Sequence, residues 1–320
     1  MSQHSATTAA PLSRFLELGR LATLSHLRFA PRFRIEGAYS GRHPSRRQGG
    51  AGEFADYREY TDGEDLRRLD WKVLGRSGRA YVRLYQDETN LVGMLAIDCS
   101  GSMRFGERSA GRAAMARAAT SGRRADGKLE HAQFLATAFG HVIAQGQDQV
   151  GLALLDERLQ TFIPPGGTGS HLSRVNSAIE QIETKPISRM AEALRELFQR
   201  VARCGVLILI SDFLQDDVGD VFNALRLFRR RRWEVVALHL VHPDEEQLPT
   251  GVAYRFEGLE NDGVIISSPA EVAQRYEQRF KEHLSATRTL ALSAGCDYQL
   301  VPTGIDYLET VRKFLVARSG

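Results

Sequence analysis

Apolar runs and amphipathic segments alternate along the chain from residue 91 onward. Runs of mostly apolar residues predict six strands, at 91–97, 150–155, 159–163, 206–210, 235–241 and 298–302. Apolar residues spaced three and four positions apart predict helices between them, at 135–142, 172–182, 190–201 and 218–225. This alternation predicts a doubly wound α/β domain with a mostly parallel sheet. Because only three residues separate the second and third strands, that pair is predicted to be a hairpin with one antiparallel edge strand.

The first 88 residues follow a different pattern. The leucine spacing in residues 13–32 predicts one amphipathic helix after a small, polar tail. Arginine and glycine are dense in the next stretch, where short strand-like pieces, such as those at 33–37 and 80–86, predict a small β-rich subdomain. A low-hydrophobicity insert at 104–128 is predicted to be an exposed, mobile loop. We therefore predict three parts, namely a tail and helix at 1–32, the β-rich subdomain at 33–88, and the α/β domain with a C-terminal extension at 89–320.

Composition limits the class of protein. The chain has 320 residues, and 42 basic residues nearly balance 39 acidic ones, so charge alone does not indicate nucleic-acid binding. The three cysteines, Cys99, Cys204 and Cys296, are far apart, which favours neither a disulfide framework nor a zinc site. No apolar run approaches the ~20 residues that cross a bilayer, and the N-terminus lacks an apolar signal-peptide segment. We expect a cytoplasmic protein without a transmembrane segment.

Polar side chains with oxygen atoms follow two of the predicted strands. Asp98, Ser100 and Ser102 come directly after the strand at 91–97, and Asp212 follows the strand at 206–210. If these strands flank the point where the strand order reverses, both carboxylates converge on one crevice. Oxygen-only ligands suit a small hard cation, so we predict a site for Mg²⁺, with Mn²⁺ as an alternative. The competing interpretation of Asp212 alone is an N-cap for the helix that follows.

The string Asp98-Cys99-Ser100-Gly101-Ser102 resembles the DxSxS motif of von Willebrand factor type A domains, which forms a metal-ion-dependent adhesion site. Asp212 matches the final Asp of that motif. The resemblance implies a third loop that supplies a hydroxyl, for which Ser188 is the first candidate and Thr184 and Thr168 are rivals. It also implies that an acidic residue of a partner protein completes the coordination of the metal.

A second resemblance covers roughly residues 33–320. The signature Arg58-Glu59-Tyr60, Gly63, Asp65, Arg67, Arg68, Asp70 and Trp71, followed by the adhesion motif, is similar to the bacterial family named domain of unknown function 58. This family typically accompanies MoxR-type AAA+ ATPases, which implies a protein partner of that class. Arg58, Arg68, Asp70 and Trp71 are candidates for partner contact. For Trp71 we also expect burial in the subdomain core, with Asp70 paired to Arg68 or Arg76.

These observations predict a non-enzymatic, metal-dependent interaction adaptor that works with a MoxR-type ATPase in the assembly or maturation of other proteins. Asp98, Ser100, Ser102, Ser188 and Asp212 are the predicted metal ligands, and no catalytic residue is predicted. A metal-dependent phosphatase or hydrolase is the enzymatic alternative. A basic nucleic-acid-binding module is the third possibility, although the run Arg229 to Arg232 is better explained as a solvated helix C-terminus.

Overall fold

The computed structural model describes residues 13–30, 43–44, 53–61, 69–86, 88–89, 91–106, 127–186, 188–201, 204–248, 254–260 and 263–319. The strands are β1 (His43–Pro44), β2 (Glu53–Glu59), β3 (Tyr81–Gln86), β4 (Glu88–Thr89), β5 (Val92–Asp98), β6 (Gln149–Leu155), β7 (Leu159–Gly166), β8 (Gly205–Ser211), β9 (Trp233–Val241), β10 (Tyr254–Glu257), β11 (Val264–Ser267) and β12 (Asp297–Pro302). The α-helices are α1 (Leu18–Leu21), α2 (Trp71–Ser77), α3 (Lys128–Gln145), α4 (Gly169–Glu180), α5 (Met190–Arg200), α6 (Val218–Arg230), α7 (Pro243–Glu246), α8 (Pro269–Ser293) and α9 (Tyr307–Ser319). Two 3₁₀ helices cover Ala22–Leu24 and Gly101–Arg104.

All six predicted strands form one sheet, in the order β12-β9-β8-β5-β6-β7. Neighbouring strands are parallel except for β6 and β7, which form the predicted antiparallel hairpin at the edge. Helices α3 to α6 overlap the four segments whose periodicity predicted them. The predicted fold class is therefore confirmed: this is a doubly wound, mostly parallel α/β sheet with one antiparallel edge strand.

Both faces of the sheet are covered, because strand side chains alternate between two hydrophobic cores. Leu95 and Ile97 face the core that α3, α4 and α9 cover. Met94 and Ala96 face the other core, which is covered by α5, α6 and one end of α8. This two-sided burial explains why the central strands are continuous apolar runs rather than alternating apolar and polar residues.

The strand order reverses at β5. From β5 the chain continues to β6 and β7 on one side, and then returns to β8, β9 and β12 on the other. Parallel pairing of β5 with β8, with Ile97 opposite Ile210, brings the carboxyl ends of these two strands together. In open α/β sheets, a crevice for ligands forms outside the carboxyl ends of the strands at such a point.

The N-terminal segment corrects one prediction. Instead of one amphipathic helix over 13–32, the segment contains the four-residue helix α1 and one 3₁₀ turn. Its apolar side chains lie in the core beside α3 and α9, where the Phe15 ring packs edge-on against Phe134 at 4.9 Å. Leu21, Leu24 and Phe29 are buried in the same core. The apolar residues, although spaced as in an amphipathic helix, here pack into the core from a segment that consists mostly of turns.

The domain boundaries at residues 32 and 88 stay predictions.

The stretch before the main sheet contains antiparallel strand pairs, β2 with β3 and β1 with β4, and the short helix α2. The strand expected at 80–86 is β3, whereas the one expected at 33–37 lies outside the described residues. The expected burial of Trp71 is wrong, since its side chain is 62% exposed. Trp71 opens α2, a helix with no buried residue, and Asp70 caps it by accepting hydrogen bonds from the amides of Lys72 and Val73.

The insert predicted at 104–128 falls largely outside the described residues, which stop at 106 and resume at 127. Within the described part of the chain, no helix has the length and apolar character needed to cross a membrane.

The packing of the N-terminal segment predicts a large stability effect. Phe15→Ala should lower the free energy of unfolding by about 3–5 kcal/mol, because it leaves a cavity where the buried ring meets Phe134. Leu18→Ala in the same segment is the matched control, since Leu18 is 47% exposed and should cost only about 0.5 kcal/mol. Urea unfolding measures both variants. Equal costs for the two would contradict the packing described here.

Candidate functional site

Asp98 ends β5, and both of its carboxylate oxygens are engaged. Oδ1 accepts a hydrogen bond from the amide of Ser100 at 2.9 Å, which turns the chain away from the strand. Oδ2 accepts one from the hydroxyl of Ser211, the last residue of β8, at 2.6 Å. The second bond joins the ends of the two neighbouring strands across the crevice.

Hydroxyl groups connect this loop to the second carboxylate. The hydroxyls of Ser100 and Ser102 lie 3.0 Å apart, and Ser102 donates to Oδ1 of Asp212 at 3.1 Å. Asp98, Ser100, Ser102 and Asp212 are all buried. The structure therefore brings four of the five predicted metal ligands together at the carboxyl edge of the sheet. Their role as ligands stays a prediction.

The turn after β8 holds Asp212 in an unusual backbone setting. Its Oδ1 also accepts the amide of Leu214 at 3.1 Å. Between them, Phe213 has a φ of 52°, in the left-handed region that bulky residues avoid. Its amide donates to the hydroxyl of Ser211 at 2.9 Å, and its ring stacks on Phe222. Such strain persists only where the surroundings enforce it, and here it accompanies the turn that aims Asp212 at the crevice.

The three candidates for the remaining hydroxyl lie in two different places. The loop that contains Thr184 and Ser188 runs beside the end of β5, where the amide of Lys185 donates to the carbonyl of Cys99 at 2.8 Å. The hydroxyl of Ser188 is shielded from solvent and has no hydrogen-bond partner among the described residues. Thr168 follows the antiparallel strand β7, whose end pairs with the start of β6. Thr168 therefore lies near the amino ends of the parallel strands, whereas Asp98 and Asp212 lie at their carboxyl ends. There its hydroxyl caps α4 by accepting the amide of His171.

Lys128, which the sequence analysis did not single out, is a central part of this site. Its side chain is fully buried at the start of α3, and its ammonium group binds the carboxylate of Asp212. The same group binds Oε1 of Glu245 at 2.7 Å. Glu245 is oriented by the capping box of α7, in which Oε2 accepts the amide of His242 at 2.8 Å. A cation of the chain therefore bridges two buried carboxylates.

The two aspartates have opposite electrostatic surroundings. Burial and the nearby negative charge of Asp212 raise the pKa of Asp98 from 3.8 to about 7. Burial alone would also raise the pKa of Asp212, but the charge and hydrogen bond of Lys128 outweigh it and hold that pKa below its ordinary value. Burial opposes the charge of Lys128 too, yet Asp212 and Glu245 raise its pKa, so the ammonium stays charged.

The oxygen atoms at this edge fit a small hard cation in their chemistry. Asp98, Ser100, Ser102 and Oδ1 of Asp212 offer carboxylate and hydroxyl oxygens within a short chain of contacts, as Mg²⁺ prefers. Oδ2 of Asp212 is already committed to Lys128. Within the described ranges, no group of three or more His, Cys, Asp or Glu side chains could hold a metal ion. Any cation here would therefore depend on the serine hydroxyls and on Asp212, which it would share with Lys128.

A third carboxylate reaches the loop of residues 98–102 from a distant part of the chain. Oε1 of Glu260, between β10 and β11, accepts a hydrogen bond from the amide of Ser102 at 3.1 Å.

The predicted partner-contact residues lie in the stretch before the main sheet. Asp70 and Trp71 lie at the start of α2, and Arg58 of β2 pairs with Val82 of β3. Arg68 lies outside the described residues. Their role in partner contact stays a prediction.

Comparison with known proteins places the chain in a family. The family described as "Protein of unknown function DUF58" matches residues 56–286. The chain belongs to this family. This assignment agrees with the sequence signature from Arg58 to Trp71, which resembles the same family. Rv1480 of Mycobacterium tuberculosis strain H37Rv, described as an uncharacterized protein, is 24% identical over 304 residues, which cover 93% of this chain and 89% of that protein.

Two solved structures from Bacteroides are similar to the DUF58 chain. One is an aerotolerance-related membrane protein from Bacteroides fragilis, with 17% identity, a TM-score of 0.44, and coverage of 72% of this chain and 98% of that chain. The other is the conserved hypothetical protein BatB from Bacteroides thetaiotaomicron, with 17% identity, a TM-score of 0.43, and coverage of 67% and 91%.

The buried ion pair predicts a strong dependence on Lys128. Lys128→Met should cost about 3–5 kcal/mol of stability, because it leaves Asp212 and Glu245 buried without their cation. Adding Asp212→Asn should recover part of that loss, giving a coupling of about 0.5–3 kcal/mol in a double-mutant cycle. Lys313→Met is the control, since Lys313 is exposed and pairs with Glu309 on its own helix. Additive effects of the two site substitutions would contradict the contact.

The two aspartates should respond to pH with opposite signs in protein kept in chelator. Because the pKa of Asp98 is about 7 in the folded state, the folded protein retains a proton that the unfolded chain releases, and stability falls as pH rises from about 4 to about 7. Asp98→Asn should therefore gain stability relative to the parent protein across that window. Asp212, whose pKa is lowered, stabilises the fold above the unfolded-state pKa, so Asp212→Asn should be destabilising at neutral pH.

Urea unfolding at several pH values between 4 and 8 measures both differences. Asp244→Asn, next to Glu245 but 69% exposed, controls for removal of a surface charge. If Asp98→Asn loses stability relative to the parent protein as pH rises, the assignment of opposite electrostatics is wrong.

Proposed function

We propose that this DUF58 protein is a non-enzymatic interaction module that binds a divalent cation between the ends of β5 and β8 and captures an acidic residue of a partner protein. The observation that carries the proposal is the chain of contacts from Asp98 through Ser100 and Ser102 to Asp212, at the point where the strand order reverses. Mg²⁺ is the proposed ion, with Mn²⁺ as its substitute.

The two carboxylate oxygens of Asp212 have different partners. Oδ2 binds the ammonium group of Lys128, and Oδ1 faces the hydroxyl of Ser102. Lys128 therefore holds Asp212 ionised and oriented, with one oxygen directed to the crevice. In this arrangement Lys128 acts as a positioning residue, and Asp98 supplies a second carboxylate, which accepts hydrogen bonds from Ser100 and Ser211.

A bound divalent cation would supply an electrophilic position that a further carboxylate can occupy. The carboxylates and hydroxyl groups of this site are buried, which would limit the competition from water for that position. A desolvated carboxylate in such a position is a strong anchor at the centre of a protein interface. The hydroxyl of Ser188 on the neighbouring loop, which finds no hydrogen-bond partner within the described part of the chain, is the proposed third-loop ligand.

The class of partner comes from the family resemblance. We propose a MoxR-type AAA+ ATPase, or a client that such an ATPase remodels, in the cytoplasm. The exposed indole of Trp71 is a proposed second contact, because large exposed aromatic side chains are enriched in interface hot spots.

Metal binding is the direct test of the proposal. Calorimetric titration of the full chain with Mn²⁺ should give saturable binding that weakens at least tenfold in Asp98→Ala, since that variant removes a carboxylate from the site. Asp244→Ala is the control, because Asp244 is acidic and 69% exposed. Equal binding by the parent protein and Asp98→Ala would reject this location. The absence of binding to the parent protein would reject the metal-dependent proposal.

A further inference from the structure

The strands β10 and β11 form an antiparallel hairpin that is separate from the main sheet. Tyr254 to Glu257 pair with Ser267 to Val264, and among the described strands these two pair only with each other. Leu259 and Glu260 lie between the two strands, at the end of the hairpin that reaches the crevice. We refer to the described residues 254–260 and 263–267 as the hairpin cap.

Two neighbouring contacts attach the hairpin cap to the loop of residues 98–102. The carboxylate of Glu260 accepts the amide of Ser102 at 3.1 Å. The carbonyl of Leu259 lies so close to Gly101 that a Cβ at that position would collide with it. Glycine at 101 therefore permits the close approach of the two backbones. Together the contacts place a carboxylate of the chain directly on the motif that contains the predicted metal ligands.

The body of the hairpin cap is weakly held. Val264, Ile265 and Ile266 of β11 are 50%, 64% and 75% exposed, so much of its apolar surface is not packed against the domain. An isolated two-stranded hairpin is only marginally stable in water. Segments with few buried apolar contacts open at a low free-energy cost. The contacts of Glu260 and Leu259 therefore matter for keeping the hairpin cap closed.

We infer that Glu260 is an internal ligand of the site, which occupies the position that a carboxylate of the partner takes, and that the hairpin cap must move aside for capture. The inference rests on the proposed function and adds the chemistry of the partner to it. A competitor of Glu260 has to present its own carboxylate on a protruding loop, because the chain presents Glu260 in this way. Capture is then an exchange of one loop carboxylate for another.

Hydrogen exchange tests the closed contact without any metal. In chelator, Glu260→Ala should increase the exchange rate of the Ser102 amide about tenfold, because the variant removes a charged acceptor of that amide. Glu257→Ala is the matched control, since Glu257 lies on the same hairpin, is exposed, and pairs with Arg255 at 2.8 Å. Glu260→Gln, which retains an uncharged acceptor, should give an intermediate rate. An unchanged Ser102 amide in Glu260→Ala would overturn the inference.

A peptide probe tests the exchange of carboxylates. A labelled synthetic copy of residues 254–267 should bind the Glu260→Ala chain at least tenfold more tightly than the parent chain, whose own Glu260 competes with it. A copy of the peptide with Gln in place of Glu260 should bind neither chain. Equal affinity of the peptide for both chains would overturn the inference.

The outcomes separate this inference from the proposed function. If the parent protein binds Mn²⁺ but Ser102 exchange is unaffected by Glu260→Ala, the metal site stands and the internal ligand is rejected. If Mn²⁺ does not bind but Glu260→Ala exposes Ser102 and admits the peptide in chelator, the internal ligand stands and metal dependence is rejected.

Discussion

Two aspartates at the ends of neighbouring parallel strands bring negative charge into the interior, and the other groups of the site are arranged around that charge. Pairing of β5 with β8 brings Asp98 and Asp212 to one edge, and both are buried. Burial of a carboxylate costs several kcal/mol unless hydrogen bonds or a counter-charge offset it. The hydroxyls of Ser102 and Ser211, together with the ammonium of Lys128, supply this compensation.

The compensation is unequal, and the inequality has a chemical consequence. Asp212 is stabilised by a full positive charge, which holds its pKa below the ordinary value. Asp98 receives hydrogen bonds from Ser211 and Ser100, and these do not overcome burial and the repulsion from Asp212. A cation near Asp98 would therefore relieve an unfavourable interaction already present in the fold.

The fold was largely predictable because its strands are buried on both faces and appear as continuous apolar runs. Asp98 and Asp212 were predictable for the same reason, since each ends such a run. Lys128 was not, because it is the last residue of the low-hydrophobicity insert that was expected to be exposed, and its partners Asp212 and Glu245 are 84 and 117 residues away. Trp71 was expected in a core because of its size, but it opens a helix whose residues are all at least partly exposed.

Glu245 and Glu260 were missed for a related reason: only the tertiary fold brings them to the crevice. Both follow β9, but their surroundings differ. Glu245 is buried and fixed twice, by the capping box of α7 and by Lys128, so it belongs to the permanent framework. Glu260 is carried by a hairpin with exposed apolar strands. Replacement of Glu260 by another carboxylate would leave the Lys128 contacts intact. The framework can therefore stay rigid while the exposed side of the same crevice changes its occupant.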